Sequence, residues 1–200
     1  MKYLFRYLVI SILFVQFSAA ELRAQNADIS ILRKINVNRN TKLDPAFRFF
    51  SNTMIPVSVA TPLCLLGVGL NNHDRILTKQ GIIAGASFLT CSIITVSFKY
   101  GVKRKRPFVQ YDDIQKAGEA GSYSFPSGHT SSVFATATAL SLAFPKWYVI
   151  APSFAWATAV AYSRLHLGVH FPTDVIAGAL IGAGASLLCH ESQYWVLPKR

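Results

Sequence analysis

The chain has 200 residues, of which 52% are apolar and only 14% are charged, so it has room for one domain. Lys and Arg number 20 against nine acidic residues, which gives a formal net charge of +11. The basic residues lie between apolar segments and are not interleaved with aromatic residues, and this argues against nucleic acid as a partner. Anionic lipid headgroups or a phosphate-bearing substrate are the partners that such a charge favours.

The first segment, residues 1–24, has the layout of a secretory signal peptide. Lys2 and Arg6 precede an apolar stretch of 13 residues that begins at Leu8 and is followed by small residues suited to cleavage. A retained signal anchor is the alternative, although 13 residues are few beside the ~20 that cross a hydrocarbon core. Residues 25–200 are predicted to form a single membrane domain.

Five further apolar runs follow, and the two longest carry no charge over 18 residues. Soluble cores rarely contain such runs, so the sequence predicts an all-α integral membrane bundle of about five spans. The predicted spans are Thr53–Leu70, Gly81–Phe98, Thr130–Phe144, Trp147–Tyr162 and Val175–Cys189. In the last span Gly178 and Gly182 form a GxxxG pair, which either lets a neighbouring helix approach closely or stands there by chance.

Three polar segments flank these spans: Lys99–Pro107, Pro126–His129 and Ser163–Asp174. Because each crossing reverses the direction of the chain, the three segments must share one face of the membrane. With a cleaved signal, or a first helix whose N-terminus is inside, that face is the outer face of the inner membrane. The loops on this face are more basic than those on the other, against the positive-inside rule. This indicates that the cations are held there for another purpose.

The three segments contain the groups that phosphoryl transfer requires. Its transition state spreads negative charge over three oxygens, so catalysis needs fixed cations, N–H donors, a nucleophile and an acid. Lys99, Arg106 and Arg164 are cations placed where predicted helices meet water. Ser127 and Gly128 begin an apolar helix, where free backbone N–H groups and the helix dipole favour an anion.

Two histidines are suited to the two proton states that the reaction needs. His170 and Asp174 are four residues apart, and Pro172 favours a helix start that places Asp174 in the first turn, with Thr173 or a neighbour as the cap. The carboxylate would accept the Nδ1 proton of His170 and leave Nε2 free to attack phosphorus. His129 would be the complementary acid, protonated before substrate binds. The sequence therefore predicts a bell-shaped rate profile.

These residues resemble the pattern of the type 2 phosphatidic acid phosphatase superfamily, which is K-x6-R-P, then P-S-G-H, then S-R-x5-H-x3-D. All the fixed positions match over residues 99–174. The resemblance implies an all-helical fold of the phosphatidic acid phosphatase/haloperoxidase type, and phosphate hydrolysis through a phosphohistidine without a metal or other cofactor. It implies that His170 is the nucleophile, Asp174 its orienting partner and His129 the general acid. The phosphate ligands that it implies are Lys99, Arg106, Ser127, Gly128 and Arg164.

The other polar residues near the spans are interpreted as structural or solvated. Surface cations that meet lipid headgroups or gather an anionic substrate are predicted at Lys103, Arg104 and Lys105. Structural histidines are predicted at His73, His166 and His190. A solvated acidic patch is predicted at Asp112, Asp113 and Glu119.

The membrane setting predicts a lipid substrate. Lipid A phosphate ranks first, because a large basic outer loop suits an anionic saccharolipid, and undecaprenyl pyrophosphate and phosphatidylglycerol phosphate follow. The alternatives are a lipid phosphotransferase, a vanadium-dependent haloperoxidase that uses the same anion site, a soluble acid phosphatase and a non-catalytic membrane scaffold. The sequence leaves the oligomeric state open.

Overall fold

The computed structural model describes residues 26–196, with side chains to residue 193, and every regular element in that range is a helix. This confirms the predicted all-α class. The predicted signal segment, residues 1–24, lies outside the described residues. The helices are α1 (26–36), α2 (Asp44–Asn52), α3 (Met54–Asn71), α4 (Arg75–Val102), α5 (Pro107–Gln110), α6 (Gly128–Ala143), α7 (Trp147–His166) and α8 (Pro172–Val196), and a 3₁₀ turn at Thr41–Leu43 precedes α2.

Local features of the sequence fix the helix ends that matter most for the polar segments. α4 ends where Lys103 adopts a left-handed backbone conformation, with φ of 53°, and donates its N–H to the carbonyl oxygen of Lys99. Ser127 caps α6, since its hydroxyl oxygen accepts from the N–H of Thr130. Pro172 occupies the first position of α8, which its fixed φ favours.

α6 lies at the centre of the bundle, packed against α4, α7 and α8. Its closest partner is α8, where two glycines face it. A Cβ on Gly178 would lie 2.6 Å from the carbonyl oxygen of Ser127, and a Cβ on Gly182 would collide with the carbonyl oxygen of Ser131. The GxxxG pair therefore serves close helix packing, the first of its two interpretations.

Three segments of the described chain are long and apolar enough to cross a membrane: Thr41–Asn71, Arg75–Gln110 and Pro172–Gln193. They contain α3, α4 and α8, which correspond to three of the five predicted spans. Large apolar side chains on these helices face outwards, among them Leu63, Leu89 and Leu180 with 61%, 62% and 70% exposure. The chain is a multi-pass membrane protein. α6 has only 16 residues and is largely enclosed by its neighbours, so the total of five spans stays a prediction.

The N-terminal arm, formed by α1 and α2, folds back over the loops at one end of the bundle. α1 buries Ile29 and Leu32 in an apolar cluster that includes Phe171. The fully buried side-chain amide of Asn36 donates to the carbonyl oxygen of His166 at 2.9 Å. The arm is thereby tied to the α7–α8 loop.

Candidate active site

The three polar segments meet at one end of the bundle, as the alternation of crossings predicts. The side chains of Lys99 and Arg106 both donate to the carbonyl oxygen of Tyr123, at 2.6 and 3.5 Å. The N–H of Ser127 donates to the carbonyl oxygen of Asp174 at 2.9 Å. The eight residues predicted for the site are brought together here.

His170 is held between a carboxylate and a guanidinium. Its Nδ1 lies 3.4 Å from Oδ2 of Asp174, and its Nε2 lies 3.2 Å from Nη1 of Arg106. Because a guanidinium can only donate, Nε2 must be the nitrogen with the lone pair, and Nδ1 must carry the proton that faces Asp174. Burial, with His170 only 2% exposed, lowers the pKa of this imidazole to about 3. His170 is therefore neutral at pH 7, with the tautomer that a nucleophile requires.

Asp174 lies in the first turn of α8, as Pro172 predicts, and four groups hold its carboxylate. Oδ2 accepts from the hydroxyl of Ser124 at 2.5 Å and from the N–H of Phe171 at 2.9 Å, in addition to facing His170. The bond from Phe171 is a cap in which a side chain at the third helical position reaches back to the residue before the helix. The cap is therefore Asp174 itself and not Thr173. These bonds fix the carboxylate in the plane that His170 needs.

Arg104 is a residue that the sequence interpretation placed wrongly. It was predicted to meet lipid headgroups or gather an anionic substrate at the surface, but its Nη1 donates to Oδ1 of Asp174 at 2.7 Å and its Nη2 to Oδ2 of Asp28 at 2.7 Å. Its guanidinium also lies 3.9 Å from the ring centroid of Phe171. Two buried carboxylates draw Arg104 inwards, because neither is stable as an anion without a partner. Lys103 and Lys105 are exposed.

Asp28 is a second residue that sequence reasoning missed. It is 2% exposed, and its carboxylate accepts from the N–H of Thr173 at 2.9 Å and from the hydroxyl of Thr173 at 2.5 Å. It therefore bonds the start of α8 and the guanidinium of Arg104 at once. No sequence signal pointed to Asp28, which lies 145 residues before Thr173.

Lys99 and Arg106 are buried cations aimed into the site, 8% and 7% exposed. Arg106 donates to the carbonyl oxygens of Ser122 and Val169 at 2.7 and 2.8 Å, so backbone groups fix the direction of its planar head. Neither cation has a carboxylate as a direct hydrogen-bond partner among the described residues. Their positive charge is therefore left to attract an anion.

The start of α6 supplies backbone donors. The hydroxyl oxygen of Ser127 accepts from the hydroxyl of Thr130 at 2.9 Å, which leaves the hydroxyl proton of Ser127 to donate elsewhere. Gly128 lies close to Lys99, because a Cβ on this glycine would be 3.8 Å from Cε of the lysine. N–H groups in the first turn of a helix have no intrahelical acceptor, so those of Gly128 and His129 are suited to an anion.

Arg164 and His129 line a cavity of about 540 Å³ beside these donors. Arg164 is 2% exposed, donates through Nη1 to the hydroxyl of Ser51 and donates through Nη2 to the carbonyl oxygen of Glu119 at 2.8 Å. Its Nε is buried and, among the described residues, has no hydrogen-bond partner. A buried donor without an acceptor is costly, and a phosphate oxygen would satisfy it.

His129 lies in the first turn of α6, before the apolar part of that helix. Burial, followed by the charges of Arg164 and His170, lowers the pKa of His129 to about 3. The sequence interpretation expected an imidazolium before substrate binds, whereas these surroundings favour the neutral ring at pH 7. The negative charge of a phosphate group would act in the opposite direction and raise the pKa of His129.

The remaining predictions concern residues outside this cluster. His166 is buried, and its Nε2 lies 2.9 Å from Oδ1 of Asp44, so the structure supports its structural interpretation. Asp113 is exposed but paired with Arg33 at 2.7 Å, so it is not simply solvated. Across residues 26–193, no three His, Cys, Asp or Glu side chains are grouped so that they could hold a metal ion.

A family model described as PAP2 superfamily matches residues 80–197. The chain is 32% identical over 167 residues to an undecaprenyl-diphosphatase of Sulfolobus acidocaldarius, which covers 80% of this chain and 76% of that protein. It is 35% identical over 78 residues to a lipid A 4′-phosphatase of Bacteroides thetaiotaomicron, which covers 39% of this chain and 35% of that protein.

The fold is similar to that of a solved membrane protein, a transmembrane PAP2-type phosphatidylglycerolphosphate phosphatase from Bacillus subtilis. The TM-score is 0.72 at 23% identity, and the similarity covers 94% of this chain and 96% of the other. The coverage shows that the N-terminal arm belongs to the shared fold.

Proposed function

The chain belongs to the PAP2 superfamily and is a lipid phosphatase, and we propose that it works through a phosphohistidine on His170, without a metal ion, at the outer face of the inner membrane. The observation that carries the proposal is the pair of contacts on the His170 ring. Asp174 faces Nδ1, and Arg106 donates towards the lone pair of Nε2. Such a ring is an oriented, neutral nucleophile beside a fixed cation.

The substrate phosphate binds among the cations and N–H donors of the site. Lys99, Arg106 and Arg164 supply positive charge, and the start of α6 supplies backbone donors. The guanidinium of Arg106 moves its N–H from Nε2 of His170 to a phosphate oxygen, because a dianion is the stronger acceptor. This transfer releases the lone pair of the nucleophile at the moment when phosphorus is in place.

In the first step, Nε2 of His170 attacks phosphorus in line with the leaving group. A P–N bond forms, the P–O bond to the leaving group breaks, and the leaving oxygen takes a proton from His129. The Nδ1 proton remains between His170 and Asp174, which stabilises the positive charge on the ring. The products of the step are the dephosphorylated lipid and the phosphohistidine.

In the second step, water attacks the phosphorus of the phosphohistidine. The water gives a proton to the neutral His129, the P–N bond breaks, and its electron pair returns to Nε2 of His170. Inorganic phosphate leaves, and both imidazoles regain their first states. Over the two steps one water is consumed for each phosphate released.

The proton of the first cycle arrives with the substrate. Phosphate monoesters have a second pKa of about 6, so a monoanion is available near neutral pH. The three cations of the site favour the dianion, so the proton passes to His129, whose pKa the bound phosphate raises. The proton from the substrate explains how His129 can act as an acid, although burial alone would keep it neutral.

The substrate is a membrane lipid, since the site lies at the ends of helices suited to span a bilayer. Lipid A phosphates, ranked first from the sequence, agree with the relative from Bacteroides, and polyprenyl diphosphates agree with the relative from Sulfolobus. The three polar segments share one side, and that side is the outer face if the N-terminal segment is a cleaved signal or a helix whose N-terminus is inside.

The test is phosphate release by the purified protein in detergent, with a chelator present, from lipid A, polyprenyl diphosphates and phosphatidylglycerol phosphate. We expect turnover of at least one lipid in the wild type and none in His170→Ala. A substrate labelled on phosphorus, quenched in alkali, should leave label on the wild type alone, because phosphohistidine survives base. Activity that vanishes with the chelator, or label on another residue, would refute the mechanism.

The same assay separates the proposal from its closest alternatives. A phosphotransferase would place the label on a second lipid and not in inorganic phosphate. A vanadium-dependent haloperoxidase would oxidise halide when vanadate is added, whereas a phosphatase of this mechanism would be inhibited by vanadate, a mimic of its transition state.

A further inference from the structure

The cavity beside His129 contains two cations to which the proposed mechanism gives no role. Its walls include Arg48 from α2 and Lys116 from the loop before α6, in addition to Arg164 and His129. Both side chains belong to exposed residues, unlike the buried cations around His170. One carboxylate, that of Glu119, also lines the cavity, so positive charge predominates.

The position of Arg48 is defined by α2 and by the loop. Its Nε donates to the carbonyl oxygen of Ala117 at 2.7 Å. It precedes Ser51, the residue whose hydroxyl accepts from Arg164, by three positions on α2. Residues three apart share a helix face, within about 5 Å along the axis. Arg48 therefore lies about one turn from the residue that touches Arg164.

Lys116 approaches the same cavity from the loop side. It directly precedes Ala117, whose carbonyl oxygen holds Arg48, and its Nζ lies 4.9 Å from the ring centroid of Phe108. The two cations thus belong to two segments joined by one hydrogen bond. Lys116 lines the cavity, and its flexible side chain would need to turn from the ring of Phe108 to bring the ammonium to an anion beside Arg48.

Arg48 and Lys116 line the same cavity as His129, and this position determines which leaving groups they would stabilise. His129 protonates the leaving oxygen, so the cavity lies on the side to which the leaving group departs. A phosphomonoester releases a neutral alcohol, which gains nothing from two nearby cations. A diphosphate releases a lipid monophosphate, whose negative charge grows as the bridging bond breaks, and cations beside it stabilise that transition state.

We infer that Arg48 and Lys116 form a second anion subsite, which holds the inner phosphate of a lipid diphosphate and makes diphosphates better substrates than monophosphates. This inference rests on the proposed function and reverses the order of substrates that the sequence suggests. Arg48 lies about one helical turn from Ser51, the residue that touches Arg164, and this closeness to the main phosphate site favours a diphosphate. The two phosphates of a diphosphate share one oxygen, whereas those of lipid A lie at opposite ends of a disaccharide. Ile55 of α3, 62% exposed, also lines the cavity and gives the lipid chain an apolar exit.

The reaction of such a substrate follows the proposed two steps. Nε2 of His170 bonds to the terminal phosphorus, and the bond from that phosphorus to the bridging oxygen breaks. The lipid monophosphate leaves with the proton of His129, and water then releases inorganic phosphate from His170. The lipid monophosphate is not itself a good substrate, so one phosphate is released from each diphosphate.

The test compares a polyprenyl diphosphate with the monophosphate of the same chain, in wild type and in the double variant Arg48→Gln, Lys116→Gln. We expect wild type to favour the diphosphate in kcat/KM. The double variant should lose about tenfold on the diphosphate and less than threefold on the monophosphate. The matched control is Lys34→Gln, which removes an exposed cation of α1 outside the cavity and should leave both values unchanged.

A binding measurement supports the kinetic one. Inorganic pyrophosphate should inhibit wild type more strongly than inorganic phosphate, and the double variant should lose that preference. Equal losses on both lipids, or a preference for pyrophosphate that survives in the double variant, would refute the subsite. If His170→Ala still releases phosphate, the mechanism itself fails, which is a separate result from an inactive His170→Ala with an unaltered double variant.

Discussion

The proposed nucleophile side of the site, around His170, and the proposed leaving-group side, around His129, are built differently. Around His170, the groups are buried or half-buried and are held by hydrogen bonds, and even the N-terminal arm contributes a carboxylate. Around His129, the walls enclose an open cavity of about 540 Å³ with exposed cations. We therefore expect the side around His170 to perform the same chemistry on any phosphate, and the side around His129 to meet the part of the substrate that varies.

The largest expected effect comes from removing the nucleophile. In His170→Ala no phosphohistidine can form, so kcat should fall by roughly 10⁴-fold or more on every substrate. Phosphate release from a lipid diphosphate and a lipid monophosphate measures it. His73→Asn, at an exposed histidine with a positive φ, is the control and should match wild type. If the residual activity of His170→Ala differed between the two lipids, the chemistry at this position would not be the same for every substrate.

Asp174→Asn should produce the next largest loss, about 10³-fold in kcat, with KM little changed. The amide would favour the wrong tautomer of His170, so that Nε2 carries the proton, while the phosphate ligands remain in place. Separate values of kcat and KM, with binding of inorganic phosphate as a check, measure the effect. Wild-type kcat in this variant would disprove the pairing of nucleophile and orienting carboxylate.

His129→Ala should distinguish the two sides of the site most clearly, because the loss of kcat/KM should depend on the leaving group. For a lipid monophosphate, whose alkoxide needs a proton, we expect a loss of about 10²- to 10³-fold. For an aryl phosphate with an acidic phenol as leaving group, the loss should be below about tenfold. Comparing the two ratios of kcat/KM tests the role. A uniform loss on both substrates would place His129 among the phosphate ligands and not at the leaving oxygen.

Asp28→Asn should lower kcat about tenfold and leave KM unchanged, since it loosens Arg104 and the start of α8 without touching the phosphate ligands. Asp28 is thus a positioning residue, and Asp28→Glu should restore part of the rate. Asp113→Asn breaks an exposed ion pair of the same kind and serves as the control. A rise in KM with unchanged kcat would assign Asp28 to substrate binding instead.

The smallest expected effect concerns the pH profile, in which kcat/KM should begin to fall at a lower pH than an ordinary histidine would give. Burial lowers the pKa of His170 to about 3, so the ring stays neutral and nucleophilic above that value. kcat/KM should therefore persist below pH 6.5, the ordinary pKa of histidine, and fall as the pH approaches about 3. A profile measured from pH 3 to 9 in a detergent stable over that range checks this. An acid limb at 6.5 would mean that His170 is solvated when substrate binds.

The sequence was sufficient to predict the parts of the site that depend on residues close together in the chain. Pro172 predicted the start of α8 and therefore the place of Asp174 in its first turn, and the short chain between His170 and Asp174 predicted that the two meet across that helix start. The alternation of crossings predicted that the three polar segments share a face. The resemblance to a known pattern named the same residues, whose chemical roles remain predictions.

What the sequence could not supply are contacts between distant segments. Arg104 has the spacing of an ordinary surface cation, and only the fold shows that Asp28, 76 residues away, and Asp174 enclose it. Arg48 and Lys116 likewise line one cavity only because α2 is bonded to the loop before α6. Burial is equally invisible in the sequence, and it is burial that keeps His129 neutral where an imidazolium was expected.

The bonds of Asp28 also have a consequence for how the protein is made. This residue is synthesised early, yet its partner Thr173 follows 145 residues later, so the nucleophile side cannot be completed until almost the whole chain has left the ribosome. Nascent chains that stop before α8 lack both Asp174 and the docking point of the arm. The first and the last described helices must therefore both be present before this side of the site can form.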